Sequence, residues 1–345
     1  MTLFNREENR KPAFKLALLA VVMALVVIIL GAFTRLVDAG LGCPDWPGCY
    51  GHMMWPNSSE EIASANSLYP HAPVETDKTW PEMVHRYFAS GLGLMAIGLL
   101  MLSWRARKTV PDQPIKLPIF LLLFIILQGM FGMWTVTLKL WPQVVTAHLL
   151  GGFATLSLLW LLTLRLNNQH WQLPAEGTAA INRLKPLAVA GLLIVIGQIA
   201  LGGWTTSNYA ALACPDLPTC QAQWLPPMDF AHGFNLFQGI GPNYLGGLMH
   251  NEARVAIHFS HRVGAVITLL YIGWLCLQLW KTQLPTVQFM AKIIGLVLLL
   301  QFALGLSNIW FNFPLLVAVA HNAVGALLLL TLVTLNQRLY TAKSE

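Results

Sequence analysis

The sequence predicts an all-α membrane protein: eight transmembrane helices forming two pseudo-symmetric four-helix bundles, with both termini cytoplasmic. Three observations carry this. Hydrophobic residues make up 56% of the 345 positions and charged residues only 10%, where a soluble domain carries about 25% charge. Apolar runs of bilayer-spanning length, roughly 20 residues, recur along the chain. The second half repeats the first.

The runs cover about 16–34, 81–104, 117–138, 143–164, 186–206, 252–280, 289–311 and 315–337. Backbone polar groups in hydrocarbon must be satisfied within each segment, so each run is a helix. The basic start of the first run also fits a signal peptide. Its far end recurs later in the chain, however, so it belongs to the mature fold. Basic residues fall in alternate connections: Arg6, Arg10, Lys11 and Lys15; Arg105, Arg107, Lys108 and Lys116; Arg165, Arg183 and Lys185; Lys281 and Lys292; Arg338 and Lys343. These are 15 of the 21 Lys and Arg, and residues 207–250 contain none. By the positive-inside rule the two long loops, about 35–80 and 207–251, face outward. The net charge of +6 and the pI near 9.1 thus report membrane orientation and not a nucleic-acid surface.

Gly31–Cys49, "GAFTRLVDAGLGCPDWPGC", aligns with Gly202–Cys220, "GGWTTSNYAALACPDLPTC", without a gap at an offset of 171 and with 9 of 19 positions identical. His85–Arg86 matches His261–Arg262 at 176; Gln128…Gly132 matches Gln301…Gly305, and His148 matches His321, at 173. Residues 1–175 and 176–345 are therefore two copies of a four-helix unit. An even helix number gives the copies one orientation, related by a pseudo-twofold along the membrane normal. A fainter motif recurs in the odd-numbered spans: Gly31-x-x-Thr34, Gly132-x-x-Thr135, Gly202-x-x-Thr205 and, nearly, Gly305-x-x-Asn308. Two readings stand: close helix packing through small residues, or room for a flat macrocycle.

Four of the five cysteines form two C-x5-C pairs, Cys43/Cys49 and Cys214/Cys220, in the outward loops. An oxidising outer compartment makes disulfides the default; a redox-exchange role stays open beside the structural one. No C-x2-C spacing suggests zinc, and no C-x-x-C-H suggests covalent haem. Cys276 reads as a small core residue.

His52, His71, His170 and His232 lie in loops with no evident role, and His250 sits at a helix mouth. His85, His148, His261 and His321 differ. Each lies in an even-numbered span, about four to seven residues in from its outer end, with Pro81, Pro142 and Pro314 marking three of those ends. Ionisable groups in the bilayer are costly and usually functional. Two imidazoles on facing helices suit the axial positions of one haem iron. Each half then offers a bis-histidine pocket: His85 with His148, and His261 with His321. Arg86 and Arg262, about 100° around the helix from their histidines, either pair with haem propionates or snorkel to the interface.

The two histidine–arginine motifs are not equal. "EMVHR" (Glu82–Arg86) has a carboxylate where "HFSHR" (His258–Arg262) has His258. Glu82 and His85 share a helix face. Either Glu82 relays protons or stabilises a cation beside the first pocket, or it simply complements a helix N-terminus. With "TAHLLGG", the "CPDLPTC" loop and "AHNAVGA", these motifs resemble the membrane-embedded haem A synthase family of bacteria and mitochondria over nearly the whole chain. The resemblance implies oxidation of the C8 methyl of haem O to a formyl group, giving haem A for terminal oxidases. It implies a haem O substrate site in the N-terminal half, with Glu82 matching the family's essential glutamate, and a haem B cofactor in the C-terminal half. It further points to a bacterial cytoplasmic membrane, with a haem O synthase and terminal oxidase subunits as partners. The odd-span glycines would equally serve a homo-oligomer contact. The rival readings are a quinol-linked dihaem electron-transfer cytochrome, which expects two equivalent sites, and a haem carrier. A solute transporter is weaker, since no broken helices pair at mid-membrane. Residues 57–79, polar and acidic, carry no assignment beyond a cover or a haem entrance.

Overall fold

The computed structural model describes residues 3–110, 113–174 and 177–344. Its elements are α1 (Leu3–Leu36), α2 (Ser59–Leu68), α3 (Thr76–Ala106), α4 (Lys116–Thr137), α5 (Pro142–Asn167), β1 (Gln172–Leu173), α6 (Thr178–Ser207), α7 (Phe230–Gly233), α8 (Asn251–Trp280), α9 (Pro285–Trp310), α10 (Leu315–Thr341) and β2 (Lys343–Ser344). Eight of these helices are long and apolar enough to cross a membrane: α1, α3, α4, α5, α6, α8, α9 and α10. The all-α, eight-span membrane architecture follows.

The helices outrun their apolar stretches. α1 and α6 begin well before the predicted runs, and α3 begins at Thr76. Pro81, expected at the start of that helix, is its sixth residue. A proline there removes only one early backbone hydrogen bond, and hydropathy does not see the polar turn Thr76–Trp80. Pro142 opens α5 and Pro314 caps α10, as expected. His85 and His261 therefore lie nine and ten residues past their helix starts, and His148 and His321 six. At 1.5 Å per residue the spread is about 6 Å in depth, roughly one turn.

α1 packs on α3 and α5, and α4 bridges α3 and α5. α6, α8, α9 and α10 pack in the same order. Between these groups α1 meets α10, and α5 meets both α6 and α10. One apolar core runs through both groups. Ala13, Ala17, Ala20 and Ala24 bring α1 close to its neighbours, and Leu156, Leu159, Ala188, Leu332 and Leu335 are fully buried. Polar contacts tie the groups together. Trp160 Nε1 donates to Thr334 Oγ1 at 2.7 Å, Thr146 and Ser207 share a hydrogen bond at 2.8 Å, and Arg35 donates to the Thr206 carbonyl at 2.8 Å while lying over Tyr209. The β1–β2 pair joins the α5 connection to the chain's tail. The expected boundary between halves, 175/176, lies outside the described residues.

Both predicted disulfides are present, Cys43–Cys49 and Cys214–Cys220. Their loops are built alike. Asp45 accepts from Tyr50 N at 2.6 Å and Gly51 N at 2.8 Å; Asp216 accepts from Gln221 N at 2.6 Å and Ala222 N at 3.0 Å. The Thr219 hydroxyl, followed by these amides, holds the Asp216 carboxyl below its ordinary range. Residues 57–79 contain α2 (Ser59–Leu68), started by a Ser58–Glu61 capping box, and the first turn of α3. Tyr69, Trp55 and Val74 then pack onto Cys43, Cys49 and Tyr50. The second long loop instead reaches over the α4–α5 turn: Tyr244 N donates to the Lys139 carbonyl at 3.0 Å, and Trp141 Nε1 to the Gln238 carbonyl at 2.9 Å.

Asp45→Ala removes the acceptor of two amides, a local loss of about 1–3 kcal/mol. Mass-tagging of cysteines under mild reductant should then show faster opening of Cys43–Cys49, with Cys214–Cys220 unchanged.

Candidate functional site

Each of the four membrane histidines lies against a glycine of the neighbouring helix. A Cβ at Gly31 would stand 2.9 Å from His85 Cε1; at Gly202, 3.2 Å from His261 Cε1; at Gly305, 3.2 Å from His321 Cε1; at Gly132, 3.5 Å from His148 Cε1. These are the glycines of the repeated odd-span motif. They give close packing of one kind: each receives an imidazole.

The His85 and His148 rings face each other with centroids 6.5 Å apart and planes at 86°. Imidazole–metal bonds of about 2 Å, one on either side of an iron, put ring centroids about 6 Å apart. The pair is thus spaced for a single iron between its rings. Nδ1 of His85, His148 and His321 is buried with no hydrogen-bond partner. An orphaned buried polar atom costs about 1–3 kcal/mol, so these rings fit a ligand role better than a packing one. Paired neutral imidazoles are a donor set that haem iron takes.

Glu82 is buried at the floor of the first disulfide loop. Its Oε2 accepts from Cys43 N at 2.9 Å, and its Oε1 pairs with Arg86 Nη2 at 2.5 Å. Arg86 Nη1 donates to the Asp45 carbonyl at 3.0 Å and the Gly48 carbonyl at 2.5 Å. His258 takes the place of Glu82 under the second loop: its Nδ1 lies 3.0 Å from the Ala210 carbonyl and 3.4 Å from Cys214 N. Arg262 donates to the Thr219 carbonyl at 2.9 Å and the Cys214 carbonyl at 2.6 Å. Both arginines therefore grip their loops. Tyr50 braces the first loop, donating to the Pro73 carbonyl at 3.2 Å. Burial, followed by the charges of Glu75, Asp45 and Glu82, pushes its phenol up to about 12, so it stays a neutral donor.

Among the described residues one further group could hold a metal ion: Asp229, His232 and His250. His232 Nδ1 lies 2.6 Å, and His250 Nε2 3.2 Å, from Asp229 Oδ2. The carboxylate uses both rings to tie α7 and its loop to the start of α8. No motif marks this cluster in the sequence, where Asp229 and His250 lie 21 positions apart.

An eight-span helical bundle with a buried imidazole pair, His85 on α3 and His148 on α5, is a membrane protein with a potential haem-ligating site. Comparison with known proteins narrows it. Residues 14–333 match the COX15-CtaA family model, described as cytochrome oxidase assembly protein; the chain belongs to this family. It is 48% identical to the Heme A synthase of Shewanella oneidensis, over 95% of this chain and 96% of that one. It is 27% identical to the Heme A synthase of Rhizorhabdus wittichii, over 91% and 90%. Its identity to the Heme A synthase of Halalkalibacterium halodurans is 25%, over 89% and 90%.

The glycine contacts give a graded test. Gly31→Ala sets a methyl against the His85 ring, and overpacking of this kind costs about 1–3 kcal/mol. Gly132→Ala meets only ordinary contact with His148. The haem-to-protein ratio of purified protein should fall for Gly31→Ala and hold for Gly132→Ala.

Proposed function

We propose that this chain is a haem A synthase: an oxidoreductase of the bacterial inner membrane that converts the C8 methyl of haem O to a formyl group for terminal oxidases. The observation that carries this reading is the His85/His148 pair, spaced for one iron and set beside Glu82, in a chain of the cytochrome oxidase assembly family. The matching packing order of the helices supports two four-helix bundles, 1–175 and 176–345, related by a pseudo-twofold. The distribution of basic residues supports cytoplasmic termini and disulfide loops on the periplasmic side.

In this reading haem O is the substrate, held between His85 and His148. His261 and His321 hold haem B, which when bound supplies reversible electron transfer. The chain's own residues do the rest. Glu82 accepts a proton at Oε1 as the methyl is oxidised, exchanging its Arg86 pair for that proton. Its Oε2 keeps the loop amide of Cys43, so the carboxylate stays fixed. Arg86 and Arg262 hold the loops over the outer edges of the two pockets; pairing with propionates requires each to exchange a loop carbonyl for the carboxylate. The disulfides keep those carbonyls in place. Haem O synthase and terminal oxidase subunits are the partners this role needs, before and after the reaction. A dihaem electron-transfer cytochrome would have two equivalent pockets, and the Glu82/His258 difference speaks against it.

The test is expression in cells that make haem O but lack their own synthase, followed by haem extraction and chromatography with mass detection. Wild type should yield haem A. Glu82→Gln should lower the yield by about 10²–10⁴-fold, the usual contribution of a positioned proton acceptor, while haem remains bound. Haem B alone in the wild type, with two equivalent low-spin signals, would establish the electron-transfer cytochrome instead.

A further inference from the structure

In three of the four odd-numbered spans a glutamine stands four residues before the glycine that receives the imidazole: Gln128 before Gly132, Gln198 before Gly202 and Gln301 before Gly305. In α1 the residue four before Gly31 is Val27. Two of the glutamines reach their histidines, while His148 Nδ1 is left without a partner beside Gln128. Gln198 Nε2 lies 3.1 Å from His261 Nδ1 and donates to the His261 carbonyl at 3.0 Å. Gln301 Nε2 lies 3.3 Å from His321 Nε2. In both cases the other ring nitrogen is left for a metal.

Each glutamine also lies in a notch one turn beyond its histidine. Gly264 is three residues after His261, Gly151 three after His148 and Gly325 four after His321, positions on the same helix face. No Cβ fits at Gly151 without striking the Gln128 amide, or at Gly264 without striking Gln198. At Gly325 a Cβ would stand 3.3 Å from Gln301 Nε2. Past His85 the corresponding residues are Phe88 and Ala89. Val27 can turn only its backbone carbonyl toward His85. The Oε1 atoms of Gln128, Gln198 and Gln301 are all buried without a partner. A half-turn of the carboxamide exchanges its two ends, so each can accept the N–H of a metal-bound imidazole. Such a partner fixes the ring of a ligating histidine, and its removal typically costs about 10–100-fold in metal affinity or activity.

We infer that Gln128, Gln198 and Gln301 are positioning residues that lock three of the four axial histidines, and that His85, without a glutamine, is the exchangeable ligand of the substrate site. The inference rests on the reading of the four histidines as ligands of two haems. It bears on a difficulty in that reading. An iron held by two histidines has no open position: either one ligand leaves during turnover, or electrons are removed and water supplies the oxygen, and an exchangeable His85 fits the first route. The ring without a glutamine is the one beside Glu82.

Carbon monoxide tests this, because it binds reduced haem iron only where an axial ligand leaves. Full-length protein loaded with haem B alone should take up none. Protein loaded with haem B and haem O should take up one per haem O. Val27→Gln combined with Phe88→Gly supplies the missing amide and its notch. The affinity of the haem O site for carbon monoxide should then fall by about tenfold or more, with haem O retained and haem B content unchanged. Gln198→Leu should do the reverse, opening the haem B site to carbon monoxide and speeding haem B loss. Equal uptake at both wild-type sites, or a paired variant that binds carbon monoxide like wild type, overturns the inference. If the paired variant loses its haem B and so fails to fold, Gln198→Leu decides alone, and continued exclusion of carbon monoxide there overturns it. Haem loading that survives replacement of all four histidines overturns the ligand assignment itself.

Discussion

The structure depends on seating an imidazole inside a membrane helix bundle. A polar ring in hydrocarbon needs a partner, and an ionisable one is costly without a use. The bundle answers with a repeated contact: the ring of His85, His148, His261 or His321 against the backbone of Gly31, Gly132, Gly202 or Gly305. At Gly31 only glycine lets the neighbouring helix approach that closely, and at Gly202 and Gly305 a side chain would be tight. The contact fixes which helices must be adjacent, and the adjacency fixes the rest. α1 must lie on α3, α4 on α5, α6 on α8 and α9 on α10. The short α4–α5 and α9–α10 turns then follow, with left-handed backbone at Lys139 and Leu140 in one and at Asn312 and Phe313 in the other.

Much of this was legible in the residues. Span number follows from apolar run length, the disulfides from the repeated C-x5-C spacing, and the four histidines from their similar depth. What escaped did so for physical reasons. Hydropathy cannot see a helix that starts in the polar interface, so the true beginning of α3 at Thr76 was missed. The capped helix α2 is too polar to register as a span. The motif glycines were noticed, but a spacing does not say what a glycine receives. Gln128 and Gln301 were visible as a repeat. Their partner Gln198 was not counted with them, and the role of all three emerges only when the notches at Gly151, Gly264 and Gly325 come beneath them. Arg86 and Arg262 were read toward propionates or the interface; their hydrogen bonds go to the disulfide loops, a partner that a position on a helix face cannot reveal.

Those loops rest on the histidine-bearing helices α3 and α8 through Glu82, Arg86, His258 and Arg262. A carboxylate in Glu82 and an imidazole in His258 occupy equivalent places under two loops of the same construction. The carboxylate accepts the Cys43 amide and a guanidinium at once. The imidazole has one nitrogen facing both a carbonyl and an amide. The first arrangement gives the carboxylate a backbone amide and a guanidinium as hydrogen-bond donors. The second needs no charge. A disulfide beneath each loop keeps the amide in place, so whatever Glu82 does is done from a fixed position.

Three departures from the repeat converge on His85: Glu82 in place of His258, Val27 in place of Gln198, and Phe88 in place of Gly264. Each replaces a feature that restrains or neutralises. A clamp becomes an aliphatic side chain, a notch becomes a ring, and a neutral imidazole becomes a carboxylate. Random drift after a duplication would scatter such changes over both copies and all four histidines. Their convergence around one ring gives the two pockets different duties on a common scaffold. The C-terminal pocket fixes both ligands and resists exchange, as electron transfer requires. On the assignment inferred above, the N-terminal pocket has one ligand with a glutamine beside it, Gln128, and one without, with a buried carboxylate one turn away. The duplicated bundle thus supplies a rigid site and a labile one from nearly the same residues, and the difference is set by what stands beside a single imidazole.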